Sequence, residues 1–435
     1  MNEITMKVMD VKYREDLYPR INKDPGTVQK YAEDLDVLPP IEVNQHNELI
    51  DGWHRWTAHK KGNAEDIRAI VTKTASDNHL LELAIERNAV HGLQLSQADK
   101  KNMARRIYHV TPDNERTEKK AQLAHILSVS PRTIHGWLSR IDKDAKADRD
   151  RRIFEKWLAC WTREEIGGSE DVGKGTVSEI WSVFADLQKL TKSDQTLATY
   201  SEPDWKPPIY NIWKQQTKTE GVNHFGNSEI SFVDNLLYLY TEPFDIVVDP
   251  FAGGGSTIDL CKRRSRRYFV SDRKPIVERA DDIRQHDLIA EDGGIVTPSV
   301  PRWKDVGLVY LDPPYWRQAA GQYSDDPADL GNMGIDQFNE VLAGTIKAFA
   351  AKLKASTRGK PSYIAMIIQP TQWKSDDRKF TDHIGDMLRL VDLPVDMRYS
   401  VPYESQQYTP QMVIWAKENK KCLVLTREIV VWEVA

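Results

Sequence analysis

Two stretches concentrate residue types that can do chemistry: "DPFAGGGST", from Asp249 to Thr257, and "LDPPYW", from Leu311 to Trp316. The first follows the apolar run "FDIVV" and reads as a buried strand, a Gly-rich turn and a helix starting near Ser256. Glycines there let the backbone approach a ligand and adopt positive φ, and a helix N-terminus offers free N–H groups. The spacing is neither G-x-G-x-x-G nor G-x-x-x-x-G-K-[ST], and no Lys follows the glycines, which disfavours a triphosphate. What remains is a ligand carrying an adenosine and a carboxylate or ammonium. The next strand ends in Asp272 ("RYFVSDRKP"), where Rossmann-like folds hold ribose hydroxyls.

The second stretch presents a different surface. The apolar run "VGLVYL" carries a strand to Asp312 at its carboxyl edge, and Pro313 and Pro314 then remove two N–H donors. A carboxylate beside a proline carbonyl is an acceptor-only pocket, which an amino group would fill as donor. Tyr315 adds a flat face for stacking an extruded base. The chemistry expected is work on the exocyclic NH2 of a flipped base.

Together these motifs resemble the cofactor-binding and catalytic motifs of the S-adenosylmethionine-dependent amino-methyltransferases that act on adenine N6 or cytosine N4 of DNA. The resemblance covers roughly residues 201–435. It implies that Asp249, Pro250, Phe251, Gly253 and Gly255 border the S-adenosyl-L-methionine, that Asp272 takes its ribose, and that Asp312, Pro313, Pro314 and Tyr315 form the catalytic motif. It further implies that "NHFGNSEISFVDNLLYLY" closes over the methionine moiety through His224 and Asn227, and that Asp282, in the acidic loop Asp281–Arg284, lies near the cofactor adenine. The "DPPY" form resembles adenine enzymes more than the serine-led version of cytosine enzymes, so adenine N6 is the expected target. Hydrogen bonds from the amine to Asp312 and the Pro313 carbonyl would aim its lone pair at the sulfonium methyl, with no strong general base required. About 120 residues follow the second motif and read as the rest of the sheet, which leaves no obvious target-recognition domain there.

The elements that must position these motifs alternate. Over roughly the last 230 residues the strand-like runs are "FDIVVDP", "RYFVSD", "VGLVYLDPP", "SYIAMIIQP", "LPVDMRYSVPY" and "QMVIWAKE", separated by helical stretches, which predicts an α/β fold with a mostly parallel sheet of Rossmann-like type. The basic run Lys262–Arg267 lies between a helix and a strand at the edge opposite the site, and reads as a solvated turn.

The N-terminal part is a small α+β module with strands around Ile41 and Glu48–Ile50, a helix from about Trp53 to a Gly62 stop, and the strand "DIRAIVTK". Its "IDGWHRWTAHKKG" resembles the G-x-x-R-x-x-A box of the ParB/sulfiredoxin-like fold, and "IERNAVHGLQLSQADKK" resembles the segment that follows it in ParB-like regulators. The resemblance covers about residues 1–140. It implies a nucleotide or DNA contact at Gly52, His54 and Arg55, with CTP or another nucleotide as the ligand. The sulfiredoxin cysteine is absent, its positions being Trp53 and His54.

Between these parts the pattern is helical. "EKKAQLAHILSVSPRTIHGWLSRI", with a Ser130 cap before Pro131, and "TREEIGGSEDVGKGTVSEIWSVF" both resemble helix-turn-helix units, which would set Arg132, Thr133 and His135 against DNA. The domains expected are residues 1–95 (ParB-like), 96–192 (helical) and 200–435 (methyltransferase), with a linker near 190–205 where X-Pro bonds cluster.

Composition sets outer bounds. A chain of 435 residues accommodates two to three domains, and its net charge of −5 hides a mildly basic stretch from about Asp99 to Arg163 that leans toward nucleic acid. No apolar run approaches a membrane span, the N-terminus reads as lacking a secretion leader, and Cys160, Cys261 and Cys422 are scattered singly, which together predict a cytoplasmic protein of bacterial or phage origin without membrane or metal partners. The expected partner is double-stranded DNA, with homodimerisation open and a restriction-modification or phage setting as the natural host of such a fusion. The rival readings are a ParB-type nucleotide-dependent regulator with a secondary methyltransferase-like half, and methylation of RNA or a protein amide.

Overall fold

The computed structural model describes residues 3–19, 24–90, 96–186, 200, 205–214, 229–316, 329–370, 372–375, 378–403 and 409–434. The chain divides into two compact units, Met1–Asp148 and Arg149–Ala435.

In the first unit β1 (Glu3–Lys7), α1 (Pro25–Ala32), β2 (Ile41–Val43), β3 (Leu49–Asp51), α2 (Trp53–Lys61) and β4 (Asp66–Val71) build a four-stranded sheet of order β1-β4-β2-β3. Only the β2–β4 pairing is parallel. Ile41, Val43, Leu49, Trp56, Ile67 and Ala69 form its core, and the Trp56 indole donates to the Val8 carbonyl at 3.1 Å. Helix α2 begins and ends on the two expected glycines, Gly52 at the N-cap and Gly62 at the C-cap. Then follow α3 (Asp77–Val90), α4 (Gln97–His109), α5 (Arg116–Ile126) and α6 (Pro131–Leu158), whose apolar stripes meet at Leu81, Ile85, Ile107, Leu123, Ile134 and Leu138. Ser130 caps α6, accepting from the Thr133 N–H at 3.1 Å. The division between the units falls inside α6.

In the second unit α7 (Arg163–Glu170), α8 (Lys174–Asp186) and α9 (Ile230–Tyr240) precede the sheet. The strands and helices that follow are β5 (Ile246–Asp249), α10 (Ser256–Arg263), β6 (Arg267–Asp272), β7 (Ile283–Gln285), β8 (Val306–Leu311), α11 (Ile335–Lys354), β9 (Ser362–Ile368), β10 (Gln372–Ser375), β11 (Arg378–Asp382), α12 (His383–Val391), β12 (Met397–Pro402), α13 (Pro410–Glu418) and β13 (Thr426–Val434). Seven strands form one sheet in the order β12-β13-β9-β8-β5-β6-β7. The run β9-β8-β5-β6-β7 is parallel throughout, and β13 inserts antiparallel between β12 and β9. A mostly parallel α/β sheet of the expected type is what forms.

Strands β5 and β8 are buried at every residue because both faces are covered. Alternation along β5 sends Val247 to one face, with α8, α9 and Ile166 of α7, and sends Ile246 and Val248 to the other, with α11 and α12. The second helix pair, α7 and α8, therefore shares a hydrophobic core with the sheet.

Two expectations need correction. The basic run is not a solvated turn: Arg264, Arg266 and Arg267 are buried, and only Arg263 of its arginines is exposed. Arg264 makes a two-pronged pair with Asp234 at 2.8 and 2.7 Å, and Arg266 donates to the Thr241 hydroxyl and carbonyl, both at 2.9 Å. Arg267 reaches Asp305 at 3.2 Å and lies over the Trp157 ring. Helix α9 and the Thr241 that follows it supply partners for Arg264 and Arg266, and the turn before β8 supplies Asp305 for Arg267. "QMVIWAKE", read as a strand, is helix α13: Thr409 caps it, Pro410 occupies the first turn, and its exposure lacks strand alternation. The last strand is "TREIVVWEV" instead.

Candidate active site

The Gly-rich turn is closed by its own first carboxylate. Asp249, at the end of β5 and 2% exposed, accepts from the Phe251 N–H at 2.9 Å and from the Thr257 hydroxyl at 2.7 Å. This ties the strand end to the first turn of α10. Gly253 and Gly255 hold φ of +50° and +80°. At Gly255, the N-cap of α10, a Cβ would stand 3.0 Å from Ile258 Cδ1. Glycine is needed there by backbone conformation first and space second. Pro250 is buried and Phe251 half-buried between the two anchoring contacts.

Asp272, at the end of β6, accepts from the Gly253 N–H at 3.0 Å and from the Lys274 N–H at 2.9 Å. A carboxylate has about four lone-pair sites, so roughly half its accepting capacity remains for hydroxyls. Asp312 follows β8, whose place beside β5 brings it onto the same carboxyl edge. Pro313 is buried, Pro314 and Tyr315 half-buried, and Trp316 anchors the motif by donating its indole N–H to the Met333 carbonyl at 3.1 Å.

Three carboxylates therefore lie along one edge, in the order Asp272, Asp249, Asp312. Burial raises the Asp249 carboxyl to about 7, against the opposing pull of its Thr257 and Phe251 donors, and Asp312 and Asp272 add to the rise. Burial also pushes the Tyr315 hydroxyl well above its ordinary value, so it stays neutral. An anionic edge with a partly protonated member suits a cationic ligand that would relieve the repulsion.

The other expected residues fall as follows. Asp282 accepts from the Tyr268 hydroxyl at 2.5 Å and pairs with Lys262 at 3.3 Å, so it braces β6 and α10 while keeping its place beside β7. His224 and Asn227 lie outside the described residues. Thr257, at the end of the motif, is the clasp on Asp249, a role that its residue type alone does not mark. Gln369, Tyr403 and Arg427, beyond the second motif, gave no sequence signal.

In the first unit, Gly52 has φ +101°, and a Cβ there would come within 2.7 Å of Ile41 Cγ2. The Arg55 guanidinium is held by Asp51 at 2.6 Å and the Pro40 carbonyl at 2.9 Å, and the His54 ring accepts from the Asp24 N–H at 3.3 Å. On α6, Arg132 and His135 are exposed beside the buried Ile134, while the Thr133 hydroxyl is engaged with Ser130 at 2.8 Å. Among the described residues no helix is long and apolar enough to cross a membrane.

No curated protein matches this chain. Among solved structures, a Pnob8-like ParB N-domain is similar at 16% identity and TM-score 0.27, covering 34% of this chain and 72% of that one. The chromosome-partitioning protein ParB from Caulobacter crescentus complexed with CTP-gamma-S is similar at 15% identity and TM-score 0.20, covering 32% and 77%. The same protein complexed to the centromeric parS site gives 16% identity and TM-score 0.23, covering 31% and 70%. Residues 100–279 match the N6/N4 methyltransferase family, described as DNA methylase. That span holds the Gly-rich turn and Asp272 and ends before Asp312. Over that span, 180 of the chain's 435 residues, the chain is similar to the DNA methylase family.

Proposed function

We propose that this protein is a DNA methylase that transfers a methyl group from S-adenosyl-L-methionine to the exocyclic amine of a flipped base in duplex DNA, with adenine N6 as the target. The observation that carries the reading is the convergence of Asp249, Asp272 and Asp312 on one sheet edge beside a Gly-rich turn.

The chain's groups fit that cofactor. The cradle is held by the Asp249–Thr257 clasp, Gly253 and Gly255 leave room for close approach, and Asp272 keeps accepting capacity for two ribose hydroxyls. The anionic edge suits a sulfonium and an ammonium. When bound, S-adenosyl-L-methionine supplies an electrophilic methyl on a cationic sulfur that departs as a neutral thioether. Asp312 and the Pro313 carbonyl accept the two N–H bonds of the amine and turn its lone pair toward the methyl. As the N–C bond forms, the nitrogen sheds one proton along the Asp312 hydrogen bond to the carboxylate or to water. Tyr315, neutral and half-buried, stacks on the base.

The helix pairs α5–α6 and α7–α8 bring the enzyme to DNA, with Arg132 and His135 on the exposed side of α6. A nucleotide at Gly52 and Arg55 lacks comparable support, because Arg55 is already clamped and packing alone accounts for Gly52.

The test is transfer of labelled methyl to unmethylated DNA, followed by digestion to nucleosides. Label in N6-methyladenosine is expected for the wild type, and Asp312→Ala should lose about a hundredfold or more in rate while still binding the cofactor. Wild-type protein that binds DNA yet labels no nucleoside overturns the reading.

A further inference from the structure

Beyond the second motif, the carboxyl edge changes character. Strand β9 pairs with β8 as Leu311↔Met366, so Gln369, three residues past Met366, leaves the sheet at the same carboxyl edge as the motif that follows Leu311. Strand β13 pairs with β9 as Glu428↔Ile368, which sets Arg427 beside Gln369 on the other side. An amide and a guanidinium thus continue the line of Asp272, Asp249 and Asp312.

Gln369 is 4% exposed and tightly held. Its backbone carbonyl faces His383 Nε2 at 3.2 Å, and its side-chain Oε1 accepts from the Tyr403 hydroxyl at 2.9 Å. With the oxygen end used, the NH2 end has no hydrogen-bond partner among the described residues. Arg427, 7% exposed, lies over the Tyr403 ring at 4.5 Å and the Phe232 ring at 5.3 Å, and pairs with no carboxylate among the described residues. Its Nε is buried without a hydrogen-bond partner. A buried orphan donor such as the Arg427 Nε is costly, and the open NH2 of Gln369 beside it is a donor that a ligand bearing an acceptor would satisfy.

We propose that Gln369 is a specificity-determining residue whose side-chain NH2 donates to the ring nitrogen next to the exocyclic amine of the target base, N1 of adenine or N3 of cytosine. This rests on the methyl-transfer reading above. Asp312 and the Pro313 carbonyl accept from the amine, Gln369 donates to its ring neighbour, and the Arg427 guanidinium, itself a donor only, lies on the same side. Adenine and cytosine present this donor–acceptor pair. Guanine and thymine present the reverse, a ring N–H beside a carbonyl, and would set donor against donor and acceptor against acceptor.

The experiment is a cycle in which the enzyme and the base are altered together. Duplex substrates carry adenine or 1-deazaadenine at the methylated position, with 3-deazacytosine replacing cytosine if the product proves to be N4-methylcytosine. Wild-type kcat/KM should fall about tenfold to a hundredfold on the deaza base. Gln369→Leu should fall by a similar factor on the natural base and lose no more than about twofold further on the deaza base. Gln369→Met, closer in shape, should repeat the pattern if the leucine variant folds poorly. A purely structural role for Gln369 predicts instead that the variants keep the wild-type discrimination, and that result overturns the proposal. Wild-type protein inactive on every DNA overturns the parent reading, a failure distinct from loss of base discrimination.

Discussion

Asp249 makes the electrostatics of the Gly-rich turn measurable. Its carboxyl rises from an ordinary 3.8 to about 7 in the folded protein, mainly through burial. At 1.36 kcal/mol per pH unit, this corresponds to about 4 kcal/mol between its protonated and ionised forms. Because the folded state holds the proton more tightly, the stabilisation is fully present below about 3.8 and is lost as pH rises through about 7. Between pH 5 and 8 the wild type should lose about 3 kcal/mol through this group alone. Asp249→Asn removes the titration while keeping an acceptor for the Phe251 N–H, and its NH2 can donate to the Thr257 oxygen in place of the present contact. The assay is thermal melting of both proteins across that range, taken as a difference so that other titrating groups cancel. At about 2 °C per kcal/mol for a unit of this size, the melting-point difference should shift by roughly 6 °C in favour of the variant as pH rises. Saturating S-adenosyl-L-methionine should flatten the wild-type slope, because a cationic ligand favours the carboxylate. Parallel curves within about 1 °C would refute the argument, since Asp249 would then be ionised throughout the range.

Gly255→Ala places a Cβ at φ +80° and 3.0 Å from the flexible end of Ile258, and should cost about 1–2 kcal/mol in denaturant titration. Calorimetry should show a larger loss in cofactor affinity, because the strain sits in the turn that lines the cradle. Asp234→Ala leaves the 97%-buried side chain of Arg264 without its carboxylate, and should destabilise by about 3–5 kcal/mol. Asp234→Ala combined with Arg264→Met should recover most of that in the same unfolding experiment, which separates the burial of a charge from the loss of packing.

The parts of the fold legible in the sequence are those written in local chemistry. Gly52 and Gly62 bounded α2, Ser130 and Pro131 opened α6, and the apolar run before Asp312 became the fully buried β8. The Gly-rich turn was legible for the same reason, since positive φ at Gly253 and Gly255 leaves a compositional trace. What stayed hidden depends on partners far along the chain. A run of arginines looks solvated until Asp234 and Thr241, some 25 to 30 residues upstream, fold over it. "QMVIWAKE" has enough apolar residues for a strand, and only its Thr-Pro cap distinguishes it as a helix.

The far side of the edge shows how topology itself composes a site. Five parallel strands can bring only residues at their C-terminal ends to this edge, where β6, β5 and β8 deliver Asp272, Asp249 and Asp312. An antiparallel strand delivers its N-terminal end instead, and β13, inserted between β9 and β12, brings Arg427. Neither that reversal nor the register Arg427 adopts beside Gln369 is visible in "TREIVVWEV". The edge thus passes from three carboxylates to an amide and a guanidinium within five neighbouring strands. In the proposed reading a cation docks at one end and an acceptor at the other, with Asp312 and Tyr315 where the two meet. In that reading, a ligand pair of one cationic molecule and one base with an amine beside a ring acceptor matches the polarity in one orientation only, and the strand order would set which way the base faces.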